Sequence, residues 1–419
     1  MFKTIANAWK IPEIRQKILF TLLMLLIYRI GAFIPVPGVN VEHIANIVGQ
    51  YDVLGFLNLM SGDSLSRMTI FALGIVPYIN ASIIMNLLTV AIPKLERMAK
   101  EGDDGRKKIA SITRYLGVTL GLIQAIGIML SMGPEAVENT SWFTYFTIVV
   151  CLTAGTALIM WIGERITEKG IGNGISLLIF ISIIAGVPGM VINIWNAAMA
   201  PTGTFWSIIL VTAIAFVIVL GITFVDLGER RIPVQYAKRV VGRKMYGGQS
   251  THIPMKVNQS GVMPLIFAIT ILMFPGMIAQ FFPDSGFYAG YTQYFGQGTV
   301  VYGIVYALLI LFFSYFYSQI AFNPVDVSKN LQQNGGFIPG IRPGKPTSDY
   351  LAKILSRITL FGALFLAIVA AVPNFFNFAT GVPAVFGATS LLIMVSVALE
   401  TTKQLESQMM MRHYKGFLN

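Results

Sequence analysis

The stretch Ile18-Leu-Phe-Thr-Leu-Leu-Met-Leu-Leu-Ile-Tyr-Arg-Ile-Gly-Ala-Phe-Ile-Pro-Val36 decides the fold class. It follows the cations Lys10, Arg15 and Lys17, and a helix needs about 20 mainly apolar residues to cross a bilayer. The stretch is too long for the apolar region of a cleavable signal peptide, and no small-residue cleavage site follows it. We therefore predict a first membrane span over residues 18–36.

The composition of the whole chain is typical of a membrane protein. Hydrophobic residues make up 55% of the 419 positions and charged residues only 12%, whereas soluble domains carry about 25% charged residues. The net charge of +11 lies in loops between apolar runs rather than on a basic face, so direct DNA binding is not expected. The single cysteine, Cys151, and three scattered histidines provide no disulfide and no metal-ligand spacing, so we expect neither metal nor cofactor.

The hydropathy pattern predicts ten membrane spans. They cover residues 18–36, 69–91, 109–131, 143–163, 174–198, 206–226, 259–282, 302–322, 351–372 and 383–402. Lys and Arg collect in the loops 92–108, 164–173, 227–258 and 323–350 and in the C-terminal tail, and are absent from the loops 132–142, 199–205, 283–301 and 373–382. Because positively charged loops remain cytoplasmic, both termini are predicted to be cytoplasmic, which agrees with an even number of spans.

Two features interrupt the regular pattern of spans. Segment 53–68 is too short and too polar to cross a bilayer, so it forms either an interfacial helix or a short helix that folds back into the protein interior. Gly170, Gly172 and Gly174 alternate around Asn173 without the spacing of a dinucleotide site, which predicts a tight turn and close helix packing.

The loops 227–258 and 323–350 are much longer than helix connections, which usually take about two to eight residues. Their length favours docking of a cytoplasmic partner, although solvated charge that only sets topology is the alternative. The spans contain isolated amides, but no aspartate, glutamate or histidine lies near the centre of a span, unlike in ion-coupled pumps. Protease pairs, zinc motifs and phosphate-binding loops are also missing. These observations predict a passive conduit rather than an enzyme; a secondary transporter of a small solute is the alternative.

Six stretches carry a resemblance to one protein family. They are Gly31-Ala-Phe-Ile-Pro-Val-Pro-Gly38, Ile70-Phe-Ala-Leu-Gly-Ile-Val-Pro-Tyr-Ile-Asn-Ala-Ser-Ile83, Gly163-Glu-Arg-Ile-Thr-Glu-Lys-Gly-Ile-Gly-Asn-Gly-Ile-Ser176, Gln249-Ser-Thr-His-Ile-Pro-Met-Lys-Val-Asn258, Asn323-Pro-Val-Asp326 and Phe337-Ile-Pro-Gly-Ile-Arg-Pro-Gly344. Along essentially its whole length the chain resembles the SecY family, the central channel subunits of the bacterial protein-export translocon. The resemblance implies an all-α membrane protein with ten transmembrane helices in two pseudo-symmetric five-helix halves, residues 1–200 and 201–419.

The resemblance also implies roles for individual residues. An apolar pore ring, which would block ions by dewetting, matches Ile75, Ile79, Ile175, Ile179, Ile266 and Ile393. A short plug helix matches segment 53–68, and its central residues are Phe56, Leu57, Asn58, Leu59, Met60, Ser61 and Gly62. A polar cluster at a lateral gate matches Asn80, Gln124 and Asn258, although family members often carry a smaller hydroxyl residue in place of Asn80.

The resemblance further implies a set of partners. Arg342 matches the arginine needed for work with the motor ATPase SecA, and Arg239, Arg243 and Lys244 lie in the other loop expected to contact the ribosome and the motor. The expected partners are SecE and SecG in a heterotrimer, SecA, the ribosome, signal peptides, preproteins and membrane lipid. The expected location is the bacterial plasma membrane, where the chain would pass unfolded secretory proteins across and release hydrophobic segments sideways into lipid.

Overall fold

The protein is mostly helical. The computed structural model describes residues 8–50, 52–199, 205–236, 239–241, 244–246, 250–279, 285–296, 299–380 and 388–415. In the first part of this described chain the helices are α1 (Pro12–Gly31), α2 (Val41–Gln50), α3 (Asp52–Ser61), α4 (Val76–Ala91), α5 (Pro93–Lys100), α6 (Asp103–Met132), α7 (Trp142–Lys169), α8 (Gly174–Met199) and α9 (Phe205–Leu227). The later elements are β1 (Glu229–Tyr236), β2 (Arg239–Val241), β3 (Lys244–Tyr246), β4 (Ser250–Lys256), α10 (Met263–Ala279), α11 (Gly286–Phe295), α12 (Val300–Ala321), α13 (Pro324–Gln333), β5 (Gly336–Phe337), α14 (Lys345–Thr380) and α15 (Ala388–Lys415).

The chain forms two compact units. The first unit comprises Met1–Ile208, Met273–Thr299 and Val397–Asn419, and the second comprises Ile209–Leu272 and Val300–Ser396. The predicted halves 1–200 and 201–419 are defined by internal pseudo-symmetry. The division into compact units does not test that symmetry. That division into halves therefore stays a prediction.

Several helices are long and apolar enough to cross a membrane. Within the described ranges these are Asp103–Leu130, Trp142–Lys169, Val300–Gln333 and Lys345–Ala371. The pair Val76–Ala91 and Pro93–Lys100, bent by 100°, adds a fifth if it is counted as one broken span. Shorter apolar helices are Gly174–Gly189, Thr212–Leu227 and Met263–Gly276. The predicted multi-pass helical architecture is thus confirmed, and the count of ten spans stays a prediction.

The first two spans have different boundaries from those predicted. Helix α1 begins at Pro12 and ends at Gly31 rather than covering 18–36, and a Cβ atom at Gly31 would overlap the ring of Phe71. The extended residues after α1 instead pair with the chain near residue 69, where Val36 N donates to Met68 O at 2.9 Å. Helix α4 begins only at Val76, because turns occupy the preceding residues.

Close approach of helices in the first unit depends on small residues of α6 and α7. A Cβ atom at Gly117 would lie 3.5 Å from Tyr78 Cα, and one at Gly121 would lie 3.7 Å from Pro77 Cβ. Gly117 and Gly121 are one helical turn apart, which is the small-residue spacing that lets membrane helices approach closely. At Gly155 a Cβ atom would overlap the carbonyl oxygen of Ile70. These glycines therefore bring α4 and its preceding turn against α6 and α7.

A small antiparallel sheet, which hydropathy did not predict, lies in the second unit. Strand β1 is central, and its neighbours are β4 and β5, so the described parts of the predicted loops 227–258 and 323–350 contain paired strands. Ile232 and Val234 alternate with exposed residues along β1, as expected for a strand with one buried face. Both pack in an apolar cluster that includes Leu331 of α13 and Leu351 of α14. The sheet is therefore attached to the apolar helix α14 through buried side chains.

Candidate functional site

Helix α3, which covers most of the predicted plug segment, is buried in the first unit. Leu54, Leu57 and Met60 are 2%, 6% and 5% exposed, and Ser61 is also buried. Phe56 and Leu59 lie in the same helix. This burial agrees with a helix folded back into the interior rather than one lying at the membrane surface.

The end of α3 contacts both α1 and α8. Gly62 follows α3 with a φ of +65°, and a Cβ atom there would lie 3.1 Å from Ser182 Cα and O. The hydroxyl of Ser182 donates to Leu178 O at 2.8 Å and accepts the Tyr28 hydroxyl at 2.7 Å. Arg29 Nη1 donates to Gly62 O at 3.2 Å. The chain at the end of α3 therefore approaches α8 at a position where a side chain would be crowded.

A compact turn closes the segment after α3. Asn58 Nδ2 donates to Asp63 Oδ1 at 3.1 Å, and Asn58 Oδ1 accepts Ser66 N at 2.8 Å. Asp63 has a positive φ of 64°, a conformation that asparagine and aspartate tolerate better than most residues. The amide of Asn58, one of the predicted plug residues, thus determines how the chain leaves the helix.

The predicted ring isoleucines are divided between the two units. Ile75, Ile79 and Ile179 of the first unit are buried, and Ile79 N donates to Ile75 O at 3.1 Å, which places these two one helical turn apart. Ile175 is half-buried, and its Cγ1 would lie 3.4 Å from a Cβ atom at Gly163. In the second unit Ile266 and Ile393 are 8% and 2% exposed. Burial alone does not test a ring, so the ring stays a prediction.

Two predicted gate residues of the first unit each have a buried polar atom that is not hydrogen-bonded to any described residue. Asn80 of α4 and Gln124 of α6 are 9% and 8% exposed. Within the described part of the chain, neither Asn80 Oδ1 nor Gln124 Nε2 has a hydrogen-bond partner. Buried polar atoms nearly always have partners, so an unpaired acceptor and donor on two packed helices require an explanation.

The third predicted gate residue, Asn258, belongs to a cluster that the sequence reasoning missed. Asn258 is 8% exposed, and its Nδ2 donates to Asp226 Oδ1 at 2.9 Å. The hydroxyl of Ser396 donates to the other oxygen, Asp226 Oδ2. We refer to Asp226, Asn258 and Ser396 as the Asp226 cluster. An acidic residue at the very end of the predicted span 206–226 was the signal that could have identified it.

The glycine-rich motif before α8 forms a tight turn, as predicted. Asn173 Oδ1 accepts Ile175 N at 3.1 Å, and thereby caps the first turn of the helix. Thr167 Oγ1 accepts Gly174 N at 2.9 Å, and a Cβ atom at Gly174 would overlap the carbonyl oxygen of Gly163. The alternating glycines thus allow α7 and α8 to meet closely, so their interpretation as a packing motif is confirmed.

The turn that presents Arg342 has a hydrogen-bonded backbone. Gly340 and Gly344 have φ values of +81° and +94°. The hydroxyl of Ser328 donates to Gly344 O at 2.7 Å, and that of Thr347 donates to Arg342 O at 2.9 Å. The Arg342 side chain is exposed. An exposed guanidinium on a fixed backbone is suited to recognition by a partner.

Two of the other predicted docking residues lie in the paired strands β2 and β3. The backbones of Arg239 and Lys244 belong to these paired strands, and Arg243 lies outside the described residues. The predicted cytoplasmic loop 92–108 contains α5, where Lys100 Nζ donates to Glu96 Oε1 at 2.6 Å. That hydrogen bond from Lys100 holds the pKa of Glu96 below its usual value. This pair belongs to an exposed surface of both charge signs.

A second charged contact that the sequence reasoning missed joins α6 to α7. Arg114 Nε and Nη2 donate to Glu164 Oε1 and Oε2 at 3.1 and 2.6 Å. The side chains of Arg114 and Glu164 are 50% and 16% exposed. Paired donors on a carboxylate are among the stronger polar contacts in proteins, so this pair stabilises the packing of two apolar helices.

Comparisons with known proteins agree with this architecture. The family profile described as SecY matches residues 69–402. The chain is 46% identical to the protein translocase subunit SecY of Halalkalibacterium halodurans and 45% identical to that of Streptomyces galbus, in each case over 100% of both chains.

Solved structures of channels have the same fold. A structure of a protein conducting channel is similar with a TM-score of 0.65 at 20% identity, and canine Sec61 from a ribosome-channel complex with a TM-score of 0.61 at 19% identity. Each of these two comparisons covers 96% of both chains. The chain is therefore a multi-pass membrane protein that belongs to the SecY family.

Proposed function

We propose that this protein is a protein-conducting channel, which passes unfolded secretory proteins across a membrane and releases hydrophobic segments sideways into lipid. The observation that carries the proposal is the burial of α3 in a unit of apolar helices, in a chain whose full-length relatives are protein translocase subunits. A short helix buried in this way blocks a path at rest and can be displaced by an entering chain. Relatives and structural neighbours of this kind lend no support to the alternative of a solute transporter.

The seal of the resting channel is attributed to two elements. Segment 53–68 acts as the plug, and the end of its helix is held by one hydrogen bond from Arg29 to Gly62 O and by the packing of Gly62 against Ser182. The isoleucines at 75, 79, 175, 179, 266 and 393 supply the apolar constriction. A constriction of β-branched side chains excludes hydrated ions and still yields to a passing polypeptide.

The lateral gate is attributed to the polar residues Asn80, Gln124 and Asn258. Polar contacts between membrane helices are worth about 0.6–2 kcal/mol each, which suits a latch that an entering signal sequence must release. The unpaired Asn80 Oδ1 and Gln124 Nε2 support this role, because they are available for hydrogen bonds to an entering segment.

The cytoplasmic loops bind the partners that drive transport. The membrane is the bacterial plasma membrane, and both termini of the chain are cytoplasmic. Arg342 contacts the SecA motor, and Arg239, Arg243 and Lys244 contact the ribosome or the motor. SecE and SecG complete the heterotrimer. The hydrogen-bonded turn that presents Arg342 supports this assignment, as does the three-stranded sheet formed within the two loops.

Depletion of the protein in its own cells tests the channel function. We expect unprocessed preproteins to accumulate in the cytoplasm, and we expect expression of the wild-type chain to restore their export. Undiminished export after depletion would contradict the proposal. Saturable uptake of a small solute by the purified chain in liposomes, without any motor or ribosome, would instead support the transporter alternative.

A further inference from the structure

We infer that Asp226 is a positioning residue of the gate, and that its carboxylate holds the Asn258 amide in the orientation used for gating. This inference rests on the proposed function, in which Asn258 contributes to the lateral gate. It extends that function to a residue outside the predicted gate cluster.

The backbone around Asn258 is held from two sides of the second unit. Val257 N donates to Gly228 O at 2.9 Å, directly after α9 ends. On the opposite side, a Cβ atom at Gly362 of α14 would lie 2.6 Å from Val257 O and 3.8 Å from Asn258 Cα. The position of the Asn258 backbone is therefore determined by its contacts with the end of α9 and with α14.

The orientation of the Asn258 side chain is determined by the carboxylate of Asp226. One oxygen accepts Asn258 Nδ2 at 2.9 Å and the other accepts the hydroxyl of Ser396. A hydrogen bond to a carboxylate is stronger than one between neutral groups. Asn258 is also almost fully buried, so an amide that lost this acceptor would be left without the water that could replace it.

Removal of the carboxylate is therefore expected to act through Asn258. The side chain would turn to find another partner and would be lost from the gate contacts, so that weaker signal sequences could open the channel. The relevant measurement is the export ratio, defined as export of a preprotein with a shortened apolar signal divided by export of the same preprotein with its intact signal.

Four variants in the full complex test the inference. We expect Asp226→Ala and Asn258→Ala each to raise the export ratio by about threefold to thirtyfold, as for the loss of one polar contact between membrane helices. The double variant should raise it no further than the larger single change, because both substitutions remove the same contact. Ser396→Ala is the matched control, since it removes a partner of the same carboxylate but leaves the Asn258 contact, and its ratio should equal that of the wild type.

The double exchange of Asp226→Asn with Asn258→Asp distinguishes loss of the contact from misfolding of the variant. It keeps one amide facing one carboxylate, so a wild-type ratio is expected, whereas Asn258→Asp alone should behave like Asn258→Ala. Independent, multiplicative effects of Asp226→Ala and Asn258→Ala, or a wild-type ratio in Asp226→Ala, would overturn the inference while the proposed function stands. Failure of the wild-type chain to export the intact preprotein would overturn the proposed function and the inference with it.

Discussion

Replacing Gly62 with alanine is expected to loosen α3 and to make the resting channel conduct ions. Gly62 has a φ of +65°, and its missing Cβ atom would lie 3.1 Å from both Ser182 Cα and Ser182 O. The two contacting atoms are backbone atoms of α8, so they cannot move aside as a flexible side chain would. The substitution therefore acts on the backbone conformation and on the packing at the same time.

The two effects have magnitudes that can be added. An L-residue in the left-handed region costs about 1–2 kcal/mol, and an extra methyl group forced into a packed site costs about 1–3 kcal/mol. Together they destabilise the buried position of α3 by about 2–5 kcal/mol. Because 1.4 kcal/mol changes an equilibrium constant tenfold, the ratio of displaced to buried α3 should rise roughly 30-fold to 4,000-fold.

The assay is the ion conductance of the purified complex in planar bilayers, without motor or substrate. The matched control is Gly55→Ala in α3 itself, where the nearest atom to the new Cβ atom is Val48 O at 3.8 Å. Alanine is favoured over glycine inside a helix by about 1 kcal/mol, so this control should conduct no more than the wild type. If both variants fold and Gly62→Ala conducts no more than Gly55→Ala, the reasoning about the α3 contacts is refuted.

Three further substitutions test other parts of the structure. Ile79→Ser should raise resting ion conductance, because a hydroxyl wets an apolar constriction; conductance equal to that of the wild type would remove Ile79 from the ring. Arg342→Ala should reduce SecA-driven export at least about tenfold, the effect of losing one charged contact, whereas Lys345→Ala, at the exposed first residue of α14, should not; equal effects of the two would contradict a specific role for the guanidinium. Glu164→Gln should lower the free energy of unfolding by about 1 kcal/mol, measured as the melting temperature in detergent, because it weakens the pair with Arg114; Glu168→Gln, in an exposed pair, is the control, and an equal loss there would count against the α6–α7 contact.

Features that depend on a short segment of the chain could be predicted from the sequence, whereas features that depend on distant segments could not. Apolar length and the charge of alternate loops are properties of short segments, and they predicted a multi-pass helical protein whose relatives are translocase subunits. The turn at Asn173 was predictable for the same reason, because a cap and its glycines act within a few residues. The small sheet of β1, β4 and β5 was not predicted, because its paired residues, from Gln235 with Ser250 to Gln235 with Phe337, are distant in sequence and meet only after folding.

Two contacts of charged residues near the ends of predicted spans were not predicted: those of Asp226, and the pair of Arg114 with Glu164. Asp226 ends the span 206–226, and Arg114 and Glu164 lie near the ends of the spans 109–131 and 143–163. In sequence such residues are indistinguishable from the solvated charges that flank any span. In the structure each carboxylate accepts hydrogen bonds from a different part of the chain.

The sequence by itself determined the membrane architecture, because burial in lipid is an average over about 20 residues and needs no knowledge of neighbours. The stretch Ile18–Val36 already predicted a membrane span, although the helix formed there runs from Pro12 to Gly31 and ends before the last residues of the stretch. The burial of α3 against Ser182 and the link from Asp226 to Asn258 and Ser396 were decided only by the tertiary structure. Contacts between residues 32 to 170 positions apart depend on where whole helices are placed, which no local pattern in the sequence reports.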